Sequence, residues 1–174
     1  MKIRLIVTDC DGVLTDGSIW MAEKSSEILK RYSFKDIMGL NIAQRLGIRV
    51  ALMSAEPISK LLQSKLDIRK KYGVKYPPFI LERVSNKKSK LVELMKKLAI
   101  KSSETLFIGD DVNDIAAMKT TGFSATVTNA LPVVKKAAKY TSHTKGGFGA
   151  VREIVEKIVL SNYQNQYQKL MRGK

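Results

Sequence analysis

Short apolar runs alternate with helical segments along most of the chain, and this alternation constrains the fold more than any other feature. Each run is rich in Val, Ile, Leu or Phe, which is typical of buried strands. The four clearest predicted strands span residues 3–8, 48–53, 105–108 and 123–127. Predicted helices lie between or after them, at residues 35–46, 57–66, 115–122, 133–138 and 151–160, and a further helix that Ser85 or Asn86 can cap carries Leu91, Leu94, Met95 and Leu98. Strands that alternate with helices form a parallel sheet with helices on both faces, so we expect a doubly wound α/β fold.

A β-hairpin is predicted directly after the first strand. Residues 18–21 and 27–34 have the composition of short strands, and the polar residues 22–26 between them are typical of a turn. A chain of 174 residues forms a single hydrophobic core. We therefore expect one domain over residues 1–174, with the hairpin as a flap at about residues 17–33.

The chain is strongly basic, with a formal net charge of +15. Such a balance favours an anionic partner, whether nucleic acid, a membrane surface or a small phosphorylated acid, and charge alone does not choose among them. We expect most of the lysines to lie on solvated helix faces or in the basic tail at about residues 161–174. Because no nucleic-acid-binding motif accompanies them, we expect neither nucleic acid nor a membrane as partner.

Two local features bear on the cellular compartment. Asp9 interrupts the N-terminal apolar run, which is therefore shorter than the apolar region of a signal peptide, and no later stretch is long enough to span a bilayer. Cys10 is the single cysteine, so an intramolecular disulfide is excluded. We therefore expect a cytoplasmic protein.

Acidic residues follow two of the predicted strands, and a serine follows a third. The first strand ends in Asp9-Cys10-Asp11-Gly12, the second in Ser54, and the third in Gly109-Asp110-Asp111. The carboxyl ends of parallel strands meet at one edge of the sheet. Asp and Gly also form ordinary turns, which explains one acidic cluster well and two clusters poorly. Carboxylates so close together need a hard divalent cation, and an all-oxygen site suits Mg²⁺ better than Zn²⁺.

Cys10 and His143 are the other residues that could carry chemistry. Alternation along an extended segment sends Cys10 to the side opposite Asp9 and Asp11, so we expect a small core residue and not a nucleophile. His143, the sole histidine, has no acidic partner nearby in the sequence. We expect it to be an ordinary loop residue.

Four segments together resemble the motifs of the haloacid dehalogenase-type phosphatases. Residues 9–15, DCDGVLT, match the first motif, DxDGxxT/S. Ser54 matches the second motif, Lys87 the third, and the acidic residues 109–114 the fourth. The resemblance extends from residue 3 to about residue 160, and the first motif is highly specific when it follows a buried strand.

The resemblance implies a role for each motif residue. Asp9 becomes the nucleophile that forms an aspartyl phosphate, and Asp11 the general acid and base. Ser54 and Lys87 hold the phosphate. Asp9, Asp110 and the backbone carbonyl of Asp11 bind Mg²⁺.

Some of these assignments leave alternatives open. Lys90 lies three residues after Lys87, near the same helix face, and is the second candidate for the phosphate-binding lysine. Asp111 is a candidate further metal ligand. Asp114 is expected to orient the acidic cluster.

The segments between the motifs resemble a branch of the family that lacks a cap domain. The stretches DGVLTDGSIW, YSFKDIMG and GGFGAVREIVEKI are similar to phosphatases of 3-deoxy-D-manno-octulosonate 8-phosphate and of nine-carbon ulosonate 9-phosphates. This resemblance implies a small sugar-acid phosphate as substrate. It also implies a homotetramer in which hairpins pack together and neighbouring subunits close each site, with Lys35 and Asp36 near the substrate.

The chain departs from that branch at two positions. Phe148 replaces an arginine that is expected to meet the substrate carboxylate, and Ser54-Ala55-Glu56 replaces the usual Thr-Gly-Arg. A glutamate at this position is more similar to the nine-carbon enzymes than to the eight-carbon ones, which makes Glu56 a candidate substrate-binding residue. Glu56 could equally be a first-turn residue of the next helix. Three other functions stay open: a phosphatase or phosphotransferase of another metabolite, a non-catalytic oligomerisation domain, and a nucleic-acid-binding protein.

Overall fold

The computed structural model describes residues 2–21 and 28–172, and a six-stranded parallel sheet lies at its centre. In chain order the strands are β1 (Leu5–Thr8), β2 (Trp20–Met21), β3 (Ile28–Leu29), β4 (Arg49–Met53), β5 (Phe79–Leu81), β6 (Thr105–Ile108), β7 (Phe123–Thr126) and β8 (Tyr140–Thr141). The sheet order is β5-β4-β1-β6-β7-β8, and β2 pairs with β3 as a separate antiparallel hairpin. The turn predicted at residues 22–26 lies outside the described residues.

Eight α-helices connect or follow the strands of the described ranges. They are α1 (Phe34–Arg45), α2 (Lys60–Leu66), α3 (Arg69–Tyr72), α4 (Lys87–Leu98), α5 (Ile115–Met118), α6 (Pro132–Ala137), α7 (Ala150–Ile154) and α8 (Gln164–Met171). A π-helical segment, Val155–Val159, continues α7. The helices pack in two groups: α1 contacts α2 and α7, while α5 contacts α4 and α6. None of these helices has the length and apolar character needed to cross a membrane.

The three central strands account for the apolar runs of the sequence. All residues of β1 and β6 are buried, and so is β4 after its first residue. A strand covered on both sides has no solvent face, so its apolar residues are continuous and do not alternate with polar ones. The predicted α/β fold with a parallel sheet is confirmed.

The register of the central strands determines what lies at the carboxyl edge of the sheet. Thr8 of β1 pairs with Leu52 of β4 on one side and Ile108 of β6 on the other. The residues that follow each strand therefore come out side by side. This places the Asp9 loop between the loops that begin at Ser54 and Gly109.

Local contacts explain where the elements differ from prediction. The second hairpin strand was expected to reach residue 34, but the Ser33 side chain accepts the N–H of Lys35 and begins α1 there. The second helix was expected from residue 57 and begins at Lys60, and the N–H of Ile58 before it donates to Glu82 Oε1 at 2.8 Å. The sequence predicted neither the edge strand β8 nor the short helix α3.

Candidate active site

A cleft of about 250 Å³ opens at the carboxyl edge of the sheet. Its lining comprises Asp9, Asp11, Gly12, Gly17, Ser54, Ala55, Glu56, Lys87, Asp110, Asp111 and Asn113. Six of the predicted site residues are therefore brought together from three loops and one helix start. The parallel register explains this convergence, because the loops after β1, β4 and β6 are neighbours.

Both carboxylate oxygens of Asp9 contact a neighbouring donor group. Oδ1 accepts the N–H of Cys10 at 2.8 Å, and Oδ2 lies 2.8 Å from the ammonium of Lys87. Burial raises the pKa of Asp9 to about 6, the charge of Asp114 adds to the rise, and Lys87 partly offsets it. The side chain is thus oriented without free rotation, which is what an attacking group requires.

Lys87 is the first residue of α4, and its side chain is buried between two carboxylates. Its ammonium lies 2.8 Å from Asp9 Oδ2 and 2.7 Å from Asp114 Oδ1. Burial alone would lower the pKa of Lys87, but the two negative charges outweigh it and the pKa is raised. Lys90 instead pairs with Glu93 on the surface at 2.9 Å. Of the two candidate lysines, Lys87 is the one in the cleft.

Asp114 organises the acidic loop after β6. It is fully buried, its Oδ1 accepts from Lys87, and its Oδ2 accepts the N–H groups of Asp110 and Asp111 at 3.0 and 3.2 Å. A Cβ at Gly109 would lie 2.4 Å from its Cγ, so that position excludes any side chain. This is the orienting position that we predicted for Asp114.

Asp110 retains an unused donor atom that fits a metal ion. Among the described residues, its buried Oδ1 has no hydrogen-bond partner. One carboxylate oxygen each from Asp9, Asp110 and Asp114 lie within 4.8 Å of one another. The pKa of Asp110 is raised to about 7, mainly by burial and further by the negative charges of Asp9, Asp114 and Asp111. Of these three carboxylates, Asp110 is the one with a buried oxygen that has no partner among the described residues, so it is the one best suited to receive a hard divalent cation.

Asp11 pairs with Lys30, a residue that sequence reasoning missed. The Lys30 ammonium lies 2.8 Å from Asp11 Oδ1 and 2.9 Å from Oδ2. Lys30 directly follows strand β3 of the hairpin. No local pattern links two residues 19 positions apart, so only the folded position of the hairpin reveals this pair.

Ser54 and Glu56 lie on the loop after β4. Ser54 is buried, and its Oγ accepts the N–H of Glu56 at 3.0 Å. Glu56 is exposed and lies four residues before α2 begins at Lys60. The alternative that Glu56 is a first-turn helix residue is therefore wrong.

A second, apolar cavity of about 510 Å³ adjoins the cleft at Glu56, which lines both. It lies between the hairpin, the start of α1 and α2. Its lining comprises Ile28, Leu29, Lys30, Tyr32, Phe34, Ile37, Glu56, Pro57, Ser59, Leu61, Leu62 and Lys65. A molecule with its phosphate in the cleft could extend its remaining atoms past Glu56 into this cavity.

The predicted substrate contacts Lys35 and Asp36 lie outside the cleft. Asp36 is 0% exposed, and its oxygens accept the N–H groups of Gly149 and Arg152, each at 3.0 Å. Burial raises the pKa of Asp36, and these hydrogen bonds partly offset the rise. Its side chain cannot touch a substrate, so that expectation is corrected: Asp36 holds the start of α7. Lys35 is exposed, and its Cδ lies 3.4 Å from where a Cβ of Gly149 would be.

The Gly-Gly-Phe segment supports the Asp9 loop from behind. The N–H of Gly147 donates to Val13 O at 2.9 Å, and a Cβ at Gly146 would lie only 1.8 Å from Gly12 O. Two glycines are thus needed for this close approach. Phe148 is exposed, and the guanidinium of Arg31 stacks 4.0 Å from its ring centre.

Cys10 and His143 take no part in the cleft. Cys10 is buried, and burial raises the pKa of its thiol well above the usual value, so the thiol stays protonated. Its prediction as a core residue is confirmed. His143 does have an acidic partner, contrary to prediction: its Nδ1 lies 3.0 Å from Glu153 Oε1, which α7 supplies.

The family comparison covers the greater part of the chain. A family model described as haloacid dehalogenase-like hydrolase matches residues 23–154, more than half of the sequence. The match begins after Asp9 and Asp11, so these two residues do not contribute to it. The first motif is therefore separate evidence for the same relationship.

Individual proteins are similar over nearly the whole chain. The 3-deoxy-D-manno-octulosonate 8-phosphate phosphatase KdsC of Salmonella typhi is 33% identical over 92% of this chain and 81% of its own length. A solved structure of the Moraxella catarrhalis 3-deoxy-D-manno-octulosonate 8-phosphate phosphatase, in complex with magnesium, phosphate and KDO, is 30% identical with a TM-score of 0.83, covering 98% of this chain and 92% of that one. The cobalt-bound Haemophilus influenzae deoxy-D-mannose-octulosonate 8-phosphate phosphatase is 28% identical with a TM-score of 0.80, covering 97% and 92%.

Proposed function

The chain belongs to the haloacid dehalogenase-like hydrolase family and is a phosphatase, and from that premise we propose that it hydrolyses an acidic 3-deoxy-ulosonate phosphate with Mg²⁺ as cofactor. The observation that carries the proposal is the buried Asp9, which Lys87 holds in a cleft shared with Asp11 and Asp110. The similar phosphatases named above support the substrate class. We keep the cytoplasm as the proposed compartment, since Cys10 is a free thiol.

In the first proposed step, a carboxylate oxygen of Asp9 attacks phosphorus. The bond between phosphorus and the sugar oxygen breaks, and protonated Asp11 gives its proton to the departing oxygen. The products are the sugar alcohol and an aspartyl phosphate on Asp9. Lys87, beside Asp9 Oδ2, places positive charge where the phosphoryl oxygens lie.

In the second step, water attacks the phosphorus of the aspartyl phosphate. Asp11, now a carboxylate, takes a proton from the water, and the bond between phosphorus and Asp9 breaks. Inorganic phosphate leaves, and both aspartates return to their starting protonation states. Across both steps one phosphate ester and one water become one alcohol and one phosphate.

Asp9, Asp110 and the backbone carbonyl of Asp11 are the groups that we propose to hold Mg²⁺. The observation that fits this assignment is that Asp110 Oδ1 has no hydrogen-bond partner within residues 2–21 and 28–172. A bound divalent cation neutralises phosphoryl charge, so that one anion can approach another. Asp111, whose Oδ1 accepts its neighbour's N–H at 2.6 Å, is already used in the loop.

Glu56 is the residue that we propose to distinguish eight-carbon from nine-carbon substrates. It is exposed and lines both the cleft and the apolar cavity, so it would face the body of a bound sugar acid. A carboxylate there accepts hydrogen bonds from hydroxyl or amide groups and discriminates against analogues that lack them. The named relatives act on the eight-carbon substrate, whereas Glu56 favours the nine-carbon ulosonate 9-phosphate, which we propose is preferred.

The specificity test compares kcat/KM for both substrates in wild type and in Glu56→Ala. We expect wild type to favour the nine-carbon substrate and the variant to narrow the ratio. Glu93→Ala, on the surface of α4, is the matched control and should leave the ratio unchanged. A wild-type preference for the eight-carbon substrate, or an unaltered ratio in Glu56→Ala, contradicts this assignment.

The catalytic test uses phosphate release from sugar phosphates in the presence of Mg²⁺. Asp9→Asn should release no phosphate, because an amide cannot form the aspartyl phosphate. Asp11→Asn should turn over slowly and accumulate the intermediate, because its hydrolysis lacks a base. EDTA should stop the wild-type reaction and Mg²⁺ should restore it. Wild-type rates in Asp9→Asn would sink the nucleophile assignment.

We also propose that the chain assembles as a homotetramer through the hairpin. The described hairpin residues expose large apolar side chains, with Trp20 and Met21 each 71% exposed. Ile19, Ile28 and Leu29 add to the same apolar surface. A surface of this kind usually marks an interface.

A further inference from the structure

We propose that Lys30 is a positioning residue for Asp11 and that it connects the hairpin directly to the acid/base step. The inference rests on the proposed function, because it assigns Lys30 a task only if Asp11 transfers protons. It adds to that function a residue supplied by the hairpin.

The contact between Lys30 and Asp11 is close and two-sided. The ammonium lies 2.8 and 2.9 Å from the two carboxylate oxygens. The side chain of Lys30 is 20% exposed and that of Asp11 35% exposed, so neither is a freely solvated surface group. In the part of the chain that the structure describes, Lys30 is the one residue that forms a hydrogen bond or an ion pair with the Asp11 carboxylate.

Asp9 and Asp11 are therefore held in different ways. Asp9 is bound by the N–H of Cys10, directly after β1, and by Lys87 at the start of α4. The carboxylate of Asp11 is instead held by the side chain of Lys30, which directly follows strand β3 of the hairpin. A general acid must lie within hydrogen-bond reach of the oxygen that it protonates, so the group that sets its direction affects the rate.

The backbone around Lys30 is itself fixed to the catalytic loops. Tyr32 forms an antiparallel bridge with Thr15 of the Asp9 loop. Arg31 donates to Gly147 O at 2.9 Å and stacks on Phe148. Lys30 and Tyr32 both line the apolar cavity, while Arg31 points to the Gly-Gly-Phe segment, as alternation in an extended segment requires. The Lys30 side chain is thus aimed from an anchored position.

Lys30 also stands where the substrate body would enter. It lines the apolar cavity together with Glu56, which continues into the cleft. When Asp11 is protonated, the oxygen that carries the proton can face the leaving group while the other oxygen still accepts from the Lys30 ammonium. The hairpin can in this way orient the acid without blocking it.

The test uses Lys30→Met, Lys30→Arg and the control Lys97→Met, an exposed lysine of α4. For the ulosonate phosphate that wild type hydrolyses, we expect Lys30→Met to lower kcat by about 10- to 100-fold with KM little changed, since misplacing a catalytic group by about 1 Å costs on that order. Lys30→Arg should restore most of the rate, and Lys97→Met should match wild type. Thermal melting of Lys30→Met should stay close to wild type.

A second substrate separates the two chemical steps. The leaving group of p-nitrophenyl phosphate needs little protonation, so formation of the aspartyl phosphate should keep its rate in Lys30→Met. Hydrolysis of the aspartyl phosphate still needs Asp11 as base and should be slowed. We expect a burst of p-nitrophenol, and aspartyl phosphate should accumulate in acid-quenched samples. A residue of merely structural importance would slow both steps and give no accumulation.

The outcomes distinguish this inference from the proposed function. Wild-type kcat in Lys30→Met, a rise in KM alone, or slow turnover without accumulated intermediate overturns the positioning role while the phosphatase stands. A wild type that releases no phosphate, or an Asp9→Asn variant with full activity, refutes the proposed function, and the role of Lys30 falls with it.

Discussion

Replacing Asp110 with Asn should stabilise the metal-free protein while abolishing its response to Mg²⁺. Burial and three neighbouring carboxylates raise the pKa of Asp110 from 3.8 to about 7. That rise corresponds to roughly 4 kcal/mol, at about 1.4 kcal/mol for each tenfold change in proton affinity. Because the side chain is only partly buried, solvent screening reduces the value, and we expect Asp110→Asn to gain about 2 kcal/mol at pH 8.

The sign of the effect follows from proton linkage. A carboxyl group whose pKa is higher in the folded state destabilises the fold when it is ionised. The penalty is absent below about pH 3.8, grows as the pH rises, and is complete above about pH 7. The advantage of Asp110→Asn should therefore appear across this window and level off above it.

Thermal unfolding in EDTA, followed by circular dichroism between pH 5 and pH 8, measures this advantage. At roughly 2–4 °C per kcal/mol for a chain of this length, the variant should melt about 4–8 °C higher at pH 8. Added Mg²⁺ should raise the melting temperature of wild type and leave the variant unchanged. Asp111→Asn, at the exposed neighbouring position, is the matched control. Equal or lower melting of Asp110→Asn at pH 8 would refute the reasoning.

Three further predictions test other parts of the structure. Lys87→Met should lower the free energy of unfolding, measured in urea at pH 8, by about 3–5 kcal/mol, because two buried carboxylates lose their partner. Lys90→Met, at the surface, should lower it by less than about 1 kcal/mol. Asp36→Ala should lower the free energy of unfolding by about 1–3 kcal/mol in the same assay, since it leaves the N–H groups of Gly149 and Arg152 at the start of α7 without their acceptor; unchanged stability would contradict this. Trp20 is the only tryptophan, so its fluorescence should shift to the blue as light scattering detects tetramers, and a monomer at micromolar concentration would exclude the proposed assembly.

The dependence of the cleft on glycine shows how closely its loops are packed. A Cβ at Gly12 would lie 2.0 Å from Asp110 Oδ2, and Gly12 also has a positive φ of 81°. The loop after β1 therefore lies directly against the acidic loop after β6. This contact keeps the carboxylates of Asp9 and Asp110 near each other without a covalent connection.

The sequence by itself determined four strands of the sheet, β1, β4, β6 and β7, and the motif residues at its carboxyl edge. The strand predicted at residues 105–108 coincides with β6, and the four motif segments converge as the parallel topology requires. These predictions succeeded because a buried strand is marked by a local apolar run. General rules of connection then predict that the strands are parallel, whereas the order of the strands in the sheet is seen only in the structure.

The tertiary structure alone decided which side chains face one another. Asp36 lies near the start of α1, where it could have faced either a substrate or another helix, and the packing of α7, more than 100 residues later, buried it. The pairing of Asp11 with Lys30 likewise depends on where the hairpin lies over the sheet. Local periodicity tells whether a residue belongs to a strand or helix and which face it occupies. It carries no information on which distant element covers that face, because that depends on the free energy of packing the whole chain.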